Sequence, residues 1–144
     1  LSGSNIDREG YLGFYDSQLT ILPEGDYHEF FGWALPGLGK FSFSRTFFSW
    51  LGSKKKKYRL DTNLHGGHRA FVMTGQYEQV FPYDIYPMQL LKAILAKNID
   101  QMENLGIYEV DEEDFALCEF IDTSKTEMQA IVREGLDFLR KEMN

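Results

Sequence analysis

Two segments of the chain have the residue spacing of an iron–sulfur cluster-binding motif but almost none of its cysteines. The bacterial motif reads C-x2-C-x2-C-x3-C-P and leads into a helix. In the first cluster outline the cysteine positions fall on Phe71, Thr74, Tyr77 and Phe81. In the second cluster outline they fall on Glu112, Phe115, Cys118 and Asp122. One of these eight positions holds a cysteine, and one thiolate cannot hold a cluster. The spacing therefore predicts vestigial positions in a domain that keeps the shape of a cluster protein without the cluster; the alternative is two ordinary loop-to-helix connections.

Composition limits the class of protein. The 144 residues allow one domain, or one domain and part of another. Hydrophobic residues make up 43% and aromatic residues 15%, which excludes a disordered chain. A single cysteine excludes a disulfide framework and fits a reducing compartment. The sequence opens with Leu1 rather than Met, and residues 1–10 resemble the tail of an element already begun, so the sequence is interpreted as a fragment of a longer protein.

Charge is distributed unevenly along the chain. The net charge is −7, yet residues 45–69 carry seven basic side chains and one acidic one. Residues 111–144 carry ten acidic and four basic side chains. Such a dipolar chain is suited to docking onto a charged partner. Its overall acidity argues against nucleic-acid binding.

The first third of the chain is predicted to contain a β-hairpin and a short helix. Residues 11–22 and 27–35 are rich in aromatic and β-branched residues and flank the turn-forming sequence 23–26, which is typical of a hairpin. Residues 43–51 are predicted to form a helix capped by Ser44. Its predicted inner stripe consists of Phe43, Phe47, Phe48 and Leu51.

From Pro87 onward the pattern is helical. Leu91, Leu95, Ile99 and Met102 recur at helical spacing, and Asn98 and Gly106 are expected to split or end the run. A second helix is expected over residues 111–120, with four acidic residues in its first turn, where the helix dipole favours negative charge. A third should begin at the capping-box pattern 124–127. Its inner stripe would be Met128, Ile131, Val132, Leu136 and Leu139.

No catalytic or metal-binding residue is predicted. His65 and His68 flank a Gly-Gly turn but lack further ligands at suitable spacing, so the turn is interpreted as presenting Arg69. The chain contains neither a phosphate-binding glycine loop nor a nucleophile–base set. Residues 47–57 combine aromatic residues with a lysine run. We interpret them as a core-packed helix followed by a solvated loop, with a membrane-surface helix as the alternative.

Several short segments together resemble one protein family, the A-subunit of the bacterial Na+-translocating NADH:quinone oxidoreductase, over its C-terminal third. The most distinctive are Phe31-Gly32-Trp33-Ala34 and the run Asp111–Cys118. Further matches are Tyr11-Leu12-Gly13, Lys40-Phe41-Ser42 with Arg45, Arg69-Ala70, Tyr77-Glu78, Pro82 and Asp84 with Pro87. One departure is Asp122-Thr123, where a Cys-Pro pair is common in the family.

The resemblance implies an α+β fold in two parts. Residues 1–40 would be a β-hairpin remnant at the end of a β-grasp, SLBB-like domain. Residues 41–144 would form a mainly helical domain, a small bundle similar to a cluster-free α-helical ferredoxin domain. Its relatives would be the cluster-bearing parts of the NADH-binding subunit of respiratory complex I and of the Rnf complex.

The resemblance also implies a function. The complex transfers electrons from NADH to quinone, exports Na+ and uses flavins and iron–sulfur centres, with the A-subunit peripheral on the cytoplasmic face of the bacterial inner membrane. The fragment is expected to bind no cofactor or metal, to have no activity alone, and to be a structural and docking part that contacts chiefly the membrane subunits. The alternative is a module that binds ubiquinone or menaquinone. Candidate quinone or partner contacts are Arg45, Trp50 and Arg69.

Overall fold

Helix α1 begins at the predicted proline. This computed structural model describes residues 6, 9–52, 55–63, 67–71 and 75–143. In it, α1 spans Pro87–Leu95 with Pro87 at its first positions, where the missing N–H costs no helical hydrogen bond. The buried residues of α1 centre on Leu90, Leu91 and Ile94. The sequence pattern predicts Leu95 on the same stripe, but its side chain is exposed. Leu95 is the last residue of α1, next to the buried Ile94.

The helical run is interrupted between α1 and α2, at the position that the sequence predicts. Helix α2 spans Ile99–Asn104, and the Asn98 side chain caps it by accepting the Gln101 N–H at 3.1 Å. After α2, Gly106 has a φ of +85°, a left-handed conformation that glycine adopts without a Cβ penalty. The predictions that Asn98 splits the helical run and that Gly106 ends it are confirmed.

Two further helices complete the bundle. A 3-10 helix, Glu112–Phe115, leads directly into α3, Ala116–Ile121. It is opened by Asp111, whose backbone N–H donates to Asp114 in a reciprocal capping box. Helix α4 spans Met128–Glu142, but the capping box predicted at residues 124–127 is wrong, since the N-cap residue makes no side-chain hydrogen bond. The residues before α4 are held by another interaction, described below.

The helices share one apolar core. Helix α4 packs against α1, α3 and the 3-10 helix before α3, and α1 also contacts α2. The predicted inner stripe of α4 is confirmed: Met128, Val132 and Leu139 are buried, and Ile131 and Leu136 are partly buried against them. The core also includes Tyr77, Phe81, Met88, Leu90, Leu91, Ala93, Ile94, Met102, Ile107, Val110, Phe115, Cys118 and Ile121.

The predicted β-hairpin, and with it the α+β fold class, is wrong. The described residues contain no strand, and the segment 9–35 consists of turns and irregular backbone. Phe31 has a φ of +56°, which an extended strand cannot accommodate. The predicted turn binds a later segment instead of joining two strands, because the Gly25 N–H donates to Thr62 Oγ1 at 2.7 Å and the Thr62 N–H donates to the Pro23 carbonyl. A lone two-stranded hairpin buries too little apolar surface to outcompete such contacts.

The helix predicted at 43–51 is only partly present. A single 3-10 turn spans Phe48–Leu51, its N-cap is Phe47 rather than Ser44, and Arg45 just before it has a φ of +57°. The predicted core stripe is wrong, since Phe48 and Leu51 are exposed and the buried residue of the turn is Ser49.

By its internal contacts the chain divides between residues 65 and 66 into two units. The predicted boundary after residue 40, which concerned the β-grasp remnant, remains a prediction. Within the described ranges, the longest helix is α4 with 15 residues, and none of the helices is long and apolar enough to cross a bilayer.

Replacing Gly135 by valine is expected to lower the free energy of unfolding by about 1–3 kcal/mol, the cost of overpacking a core. Gly135 is buried in α4, and a Cβ there would lie 2.8 Å from Cγ2 of Ile94 in α1. The matched control is Ala130→Val on the exposed side of α4, where only helix propensity changes and the cost stays below about 0.7 kcal/mol. Urea unfolding followed by circular dichroism at 222 nm measures both. Equal costs would contradict a tight α1–α4 contact.

Candidate site: the two vestigial cluster outlines

A buried hydrogen bond joins the two cluster outlines. The Tyr77 hydroxyl donates to Oδ1 of Asp122 at 2.5 Å, although the two residues lie 45 positions apart in sequence. Tyr77 is the third position of the first outline and opens the 3-10 helix Tyr77–Gln79. Asp122 is the fourth position of the second outline and lies at the C-terminal end of α3. Both side chains are almost fully buried.

Asp122 also organises the loop that leads into α4. Its Oδ1 accepts the Ser124 N–H at 3.0 Å, and its Oδ2 accepts the Thr126 N–H at 2.8 Å. Ser124 in turn ties this loop to residues that precede the 3-10 helix Tyr77–Gln79: its hydroxyl donates to the Ala70 carbonyl, and its own carbonyl accepts the Arg69 N–H. We call this set of bonds around Asp122 the Asp122 clasp. It provides the connection at the start of α4 that the predicted capping box does not.

The clasp keeps the carboxylate charged and the phenol neutral. Burial alone would raise the pKa of Asp122, but the hydrogen bonds from Tyr77, Ser124 and Thr126 outweigh burial, so the net pKa is lowered. Burial, followed by the hydrogen bond and the negative charge of Asp122, raises the pKa of Tyr77 well above its ordinary value. The pair therefore acts as a fixed donor and acceptor rather than as a proton-exchanging site near neutral pH.

Aromatic rings fill the other end of the outlines. Phe81, the fourth position of the first outline, packs on Phe115, the second position of the second, with ring centroids 4.8 Å apart. Phe71 lies beside Tyr77 with ring centroids 6.3 Å apart. Cys118 is buried, and its Sγ donates to the Tyr77 carbonyl at 3.8 Å. Carbon side chains thus occupy the interior that the outlines enclose.

The pairing follows the ligand exchange of two-cluster ferredoxins. In those proteins the fourth cysteine of one motif binds the cluster of the other motif. By the same rule, Asp122 belongs with Phe71 and Tyr77, and Phe81 belongs with Phe115 and Cys118. The structure places Tyr77 beside both Asp122 and Phe71, as the rule requires. It also places Phe81 against Phe115, whereas Cys118 contacts the Tyr77 carbonyl of the other set.

One described outline position is not part of this interior. Glu112 forms a salt bridge with Arg133 of α4 and is partly exposed. Thr74 lies outside the described residues, as does His65. With one thiol among the positions, the donor set does not fit an iron–sulfur cluster, which takes four thiolates. Within the part of the chain that the structure describes, no three His, Cys, Asp or Glu side chains are grouped as a metal site.

None of the candidate contact residues is itself an outline position. Arg45 and Trp50 are exposed residues of the unit before residue 66, and Trp50 is in the 3-10 turn Phe48–Leu51. Arg69 has an exposed side chain in the helical unit, where its backbone N–H joins the Asp122 clasp.

Sequence reasoning missed one surface feature and one interaction. An open cleft of about 450 Å³ is lined by His28, Glu29, Phe30, Phe31 and Trp33. The stacking of Phe31 on Trp33, with centroids 6.1 Å apart, depends on the left-handed backbone at Phe31. The missed interaction is the hydrogen bond between Tyr77 and Asp122. It could have been predicted from the sequence, because the ligand-exchange rule places the third position of one outline beside the fourth position of the other.

Cys118 is expected to react with a thiol reagent at pH 7.5 at least about a hundredfold more slowly in the native chain than in urea, because the thiolate is the reactive form. Burial and then the nearby charge of Glu78 raise the pKa of Cys118 to about 12. The chain has no other cysteine, so colour released by a disulfide reagent reports this residue alone. Native labelling at the denatured rate would contradict a buried thiol.

Comparison with known proteins reveals close relatives. No protein-family model matches the chain. It is 41% identical over 132 residues to the A-subunit of the Na(+)-translocating NADH-quinone reductase of Rhodopirellula baltica, and 41% identical over 143 residues to the protein of the same name from Shewanella frigidimarina. The Pasteurella multocida protein of that name is 44% identical over 132 residues.

These matches cover 92%, 99% and 92% of the chain, but only 29%, 32% and 29% of the relatives. The chain therefore spans about a third of their length, a share consistent with the C-terminal third that the resemblance indicates. Because the similarity runs through almost its entire length, the chain belongs to the A-subunit family of the Na(+)-translocating NADH-quinone reductases.

Proposed function

We propose that this chain is a cofactor-free structural and docking part of the A-subunit in a Na+-translocating NADH:quinone oxidoreductase. The relatives are named as the A-subunit of that reductase. The single observation that carries the proposal is the interior of the two outlines, where Phe81, Phe115 and the Tyr77–Asp122 pair are packed together. A fold held by such a core needs no inorganic centre, and the chain then supports electron transfer without taking part in it.

The proposed partners are the other subunits of the complex, chiefly its membrane subunits, on the cytoplasmic face of the bacterial inner membrane. Support comes from exposed aromatic side chains in the unit before residue 66, a composition typical of interface cores. The most exposed are Tyr11, Phe14, Tyr15, Phe30 and Trp33. Flavins, iron–sulfur centres and the NADH site belong, in this proposal, to the rest of the complex.

A first experiment tests the absence of a cofactor. The purified chain is expected to be colourless, to contain no stoichiometric iron, and to unfold at the same temperature with and without a chelator such as EDTA. Absorbance near 400 nm together with bound iron would overturn the proposal, and so would a chelator-induced loss of stability.

A second experiment tests docking. The tagged chain is incubated with the remaining subunits of the complex in detergent, and their retention is measured. A Phe30→Ser/Trp33→Ser variant is expected to retain at least tenfold less than the unaltered chain. The control, Tyr86→Ser, changes an exposed aromatic residue of the helical unit and should retain normally. Undiminished retention by the double variant would place docking elsewhere.

The second candidate function is a quinone-binding module, and the cleft at residues 28–33 favours it. Its volume falls in the range of small-molecule sites. Stacked Phe31 and Trp33 offer an aromatic face to a quinone ring, and His28 offers a hydrogen bond to a quinone oxygen. None of Arg45, Trp50 or Arg69 lines this cleft.

Short-chain ubiquinone-1 separates the two functions. In a Trp50→Phe variant the remaining tryptophan fluorescence comes from Trp33. A quinone module predicts saturable quenching in this variant and its loss on His28→Ala. A docking part predicts only the linear, collisional quenching expected of any exposed tryptophan.

A further inference from the structure

We propose that residues 48–52 and 55–59 form a binding surface for an anionic lipid bilayer, which we call the aromatic–basic patch. The patch begins with the 3-10 turn Phe48–Leu51, whose buried residue is Ser49. Phe48 is 52%, Trp50 53% and Leu51 65% exposed, so the bulky side chains of the turn face outward rather than into a core. An exposed group of this kind can enter the boundary between lipid headgroups and acyl chains, where tryptophan is favoured.

The charge of the patch selects the lipid. Residues 45–59 contain six basic residues and no acidic one. The described Lys56, Lys57 and Arg59 have exposed side chains immediately after the apolar turn. Lysine and arginine beside a membrane bind anionic lipid headgroups, with each charge contributing about fivefold in partitioning. Basic and apolar groups adjacent in sequence therefore match an anionic bilayer surface.

Nearby acidic side chains have other partners. Glu29 forms a salt bridge with Lys40, and Glu24 accepts the Thr62 hydroxyl. Asp61 accepts the Tyr27 hydroxyl at 2.8 Å and the Asn63 N–H. These bonds engage the carboxylates of Glu24, Glu29 and Asp61.

The patch differs from the rest of the exposed aromatic surface. Phe14 and Tyr15 have no cluster of basic residues beside them in sequence, whereas the patch joins both features within twelve residues. Binding to an acidic protein would account for the lysines of the patch. It would not account for the exposed Trp50 and Leu51 beside them. The combination favours lipid, and the chain would lie on the bilayer rather than span it.

Vesicle sedimentation tests this inference with the whole 144-residue chain. Vesicles of phosphatidylcholine alone are compared with vesicles containing 30% phosphatidylglycerol, in 50 mM and 500 mM NaCl. We expect at least tenfold stronger binding to the anionic vesicles at low salt, and loss of most of that binding at high salt, because salt screens exposed charges. Equal binding to both compositions would overturn the inference, as would no binding to either.

Matched variants localise the effect. Lys56→Gln/Lys57→Gln should weaken binding by about 25-fold, from two lysines of about fivefold each. The control, Lys92→Gln/Lys141→Gln, makes the same change in net charge at exposed lysines of the helical unit and should bind within twofold of the unaltered chain. Equal weakening by both pairs would mean that net charge, not the patch, drives binding.

The two tryptophans report which part enters the bilayer. Brominated lipids should quench Trp50 in the Trp33→Phe variant at least twice as strongly as they quench Trp33 in the Trp50→Phe variant. Preferential quenching of Trp33 would overturn the assignment. Retention on immobilised poly-glutamate, with no binding to vesicles, would instead identify an acidic protein as the partner. The vesicles contain no protein, so the outcome is independent of the proposed docking role.

Discussion

Replacing Phe115 with alanine is expected to lower the free energy of unfolding by about 3–5 kcal/mol, the usual cost of removing a buried phenylalanine ring. Phe115 is fully buried at the junction of the 3-10 helix and α3, and its ring packs on Phe81. Truncation would remove that contact and leave a cavity in the middle of the second cluster outline. The surrounding helices hold the cavity open, because α4 and α1 are fixed against each other at Gly135 and Ile94.

Urea unfolding followed at 222 nm measures this loss, since the helical unit supplies most of the helical signal. Phe14→Ala is the control: it removes the same ring from a residue that is 95% exposed, and its cost should stay within about 0.5 kcal/mol. Phe115→Leu keeps most of the volume and should cost less than half as much as alanine. If Phe115→Ala cost no more than Phe14→Ala, the outlines would not be filled by a packed core, and the proposed cofactor-free fold would lose its basis.

The parts of the fold that local chemistry determines could be predicted from the sequence. Pro87, Asn98 and Gly106 each affect the backbone within one turn of their own position, and each begins, caps or ends a helix as expected. The hairpin could not be predicted correctly, because strand pairing depends on distant partners. In this chain the turn at Gly25 bonds with Thr62, 37 residues away, and aromatic composition contains no information about that competition.

The candidate site, like the fold, could be predicted from the sequence only in part. Of the eight positions that spacing picked out, six lie in or against the core: Phe71, Tyr77, Phe81, Phe115, Cys118 and Asp122. The contacts made by the residues at the cysteine positions depend on the chemistry of each side chain. The ligand-exchange rule brings Tyr77 close to Asp122, but the sequence does not indicate that Asp122 would also accept two backbone N–H groups, or that Glu112 would pair with Arg133. These partners are determined by the three-dimensional packing.

Replacing Asp122 with alanine is expected to cost about 3–5 kcal/mol of stability, because buried donors left without an acceptor cost about 1–3 kcal/mol each. The Tyr77 hydroxyl and the N–H groups of Ser124 and Thr126 would all lose their acceptor. Loss of the clasp would also free the loop that positions α4. The control Asp84→Ala removes an exposed carboxylate and should change stability by less than about 0.5 kcal/mol.

The pH dependence of stability distinguishes a charged clasp from simple packing. The pKa of Asp122 is lowered by its hydrogen bonds, so the folded chain binds this proton less tightly than the unfolded chain. The stabilisation is therefore complete above the ordinary aspartate pKa of about 3.9 and is lost as the pH falls below it, through the lowered pKa of the folded state. Asp122→Asn keeps the shape but not the charge, so its deficit in stability relative to the unaltered chain should shrink as the pH falls below the ordinary aspartate pKa of about 3.9. A deficit that stays constant as the pH falls would mean that the loss in the variant does not come from the carboxylate charge, and that the hydrogen bond from Tyr77 does not depend on an ionised carboxylate.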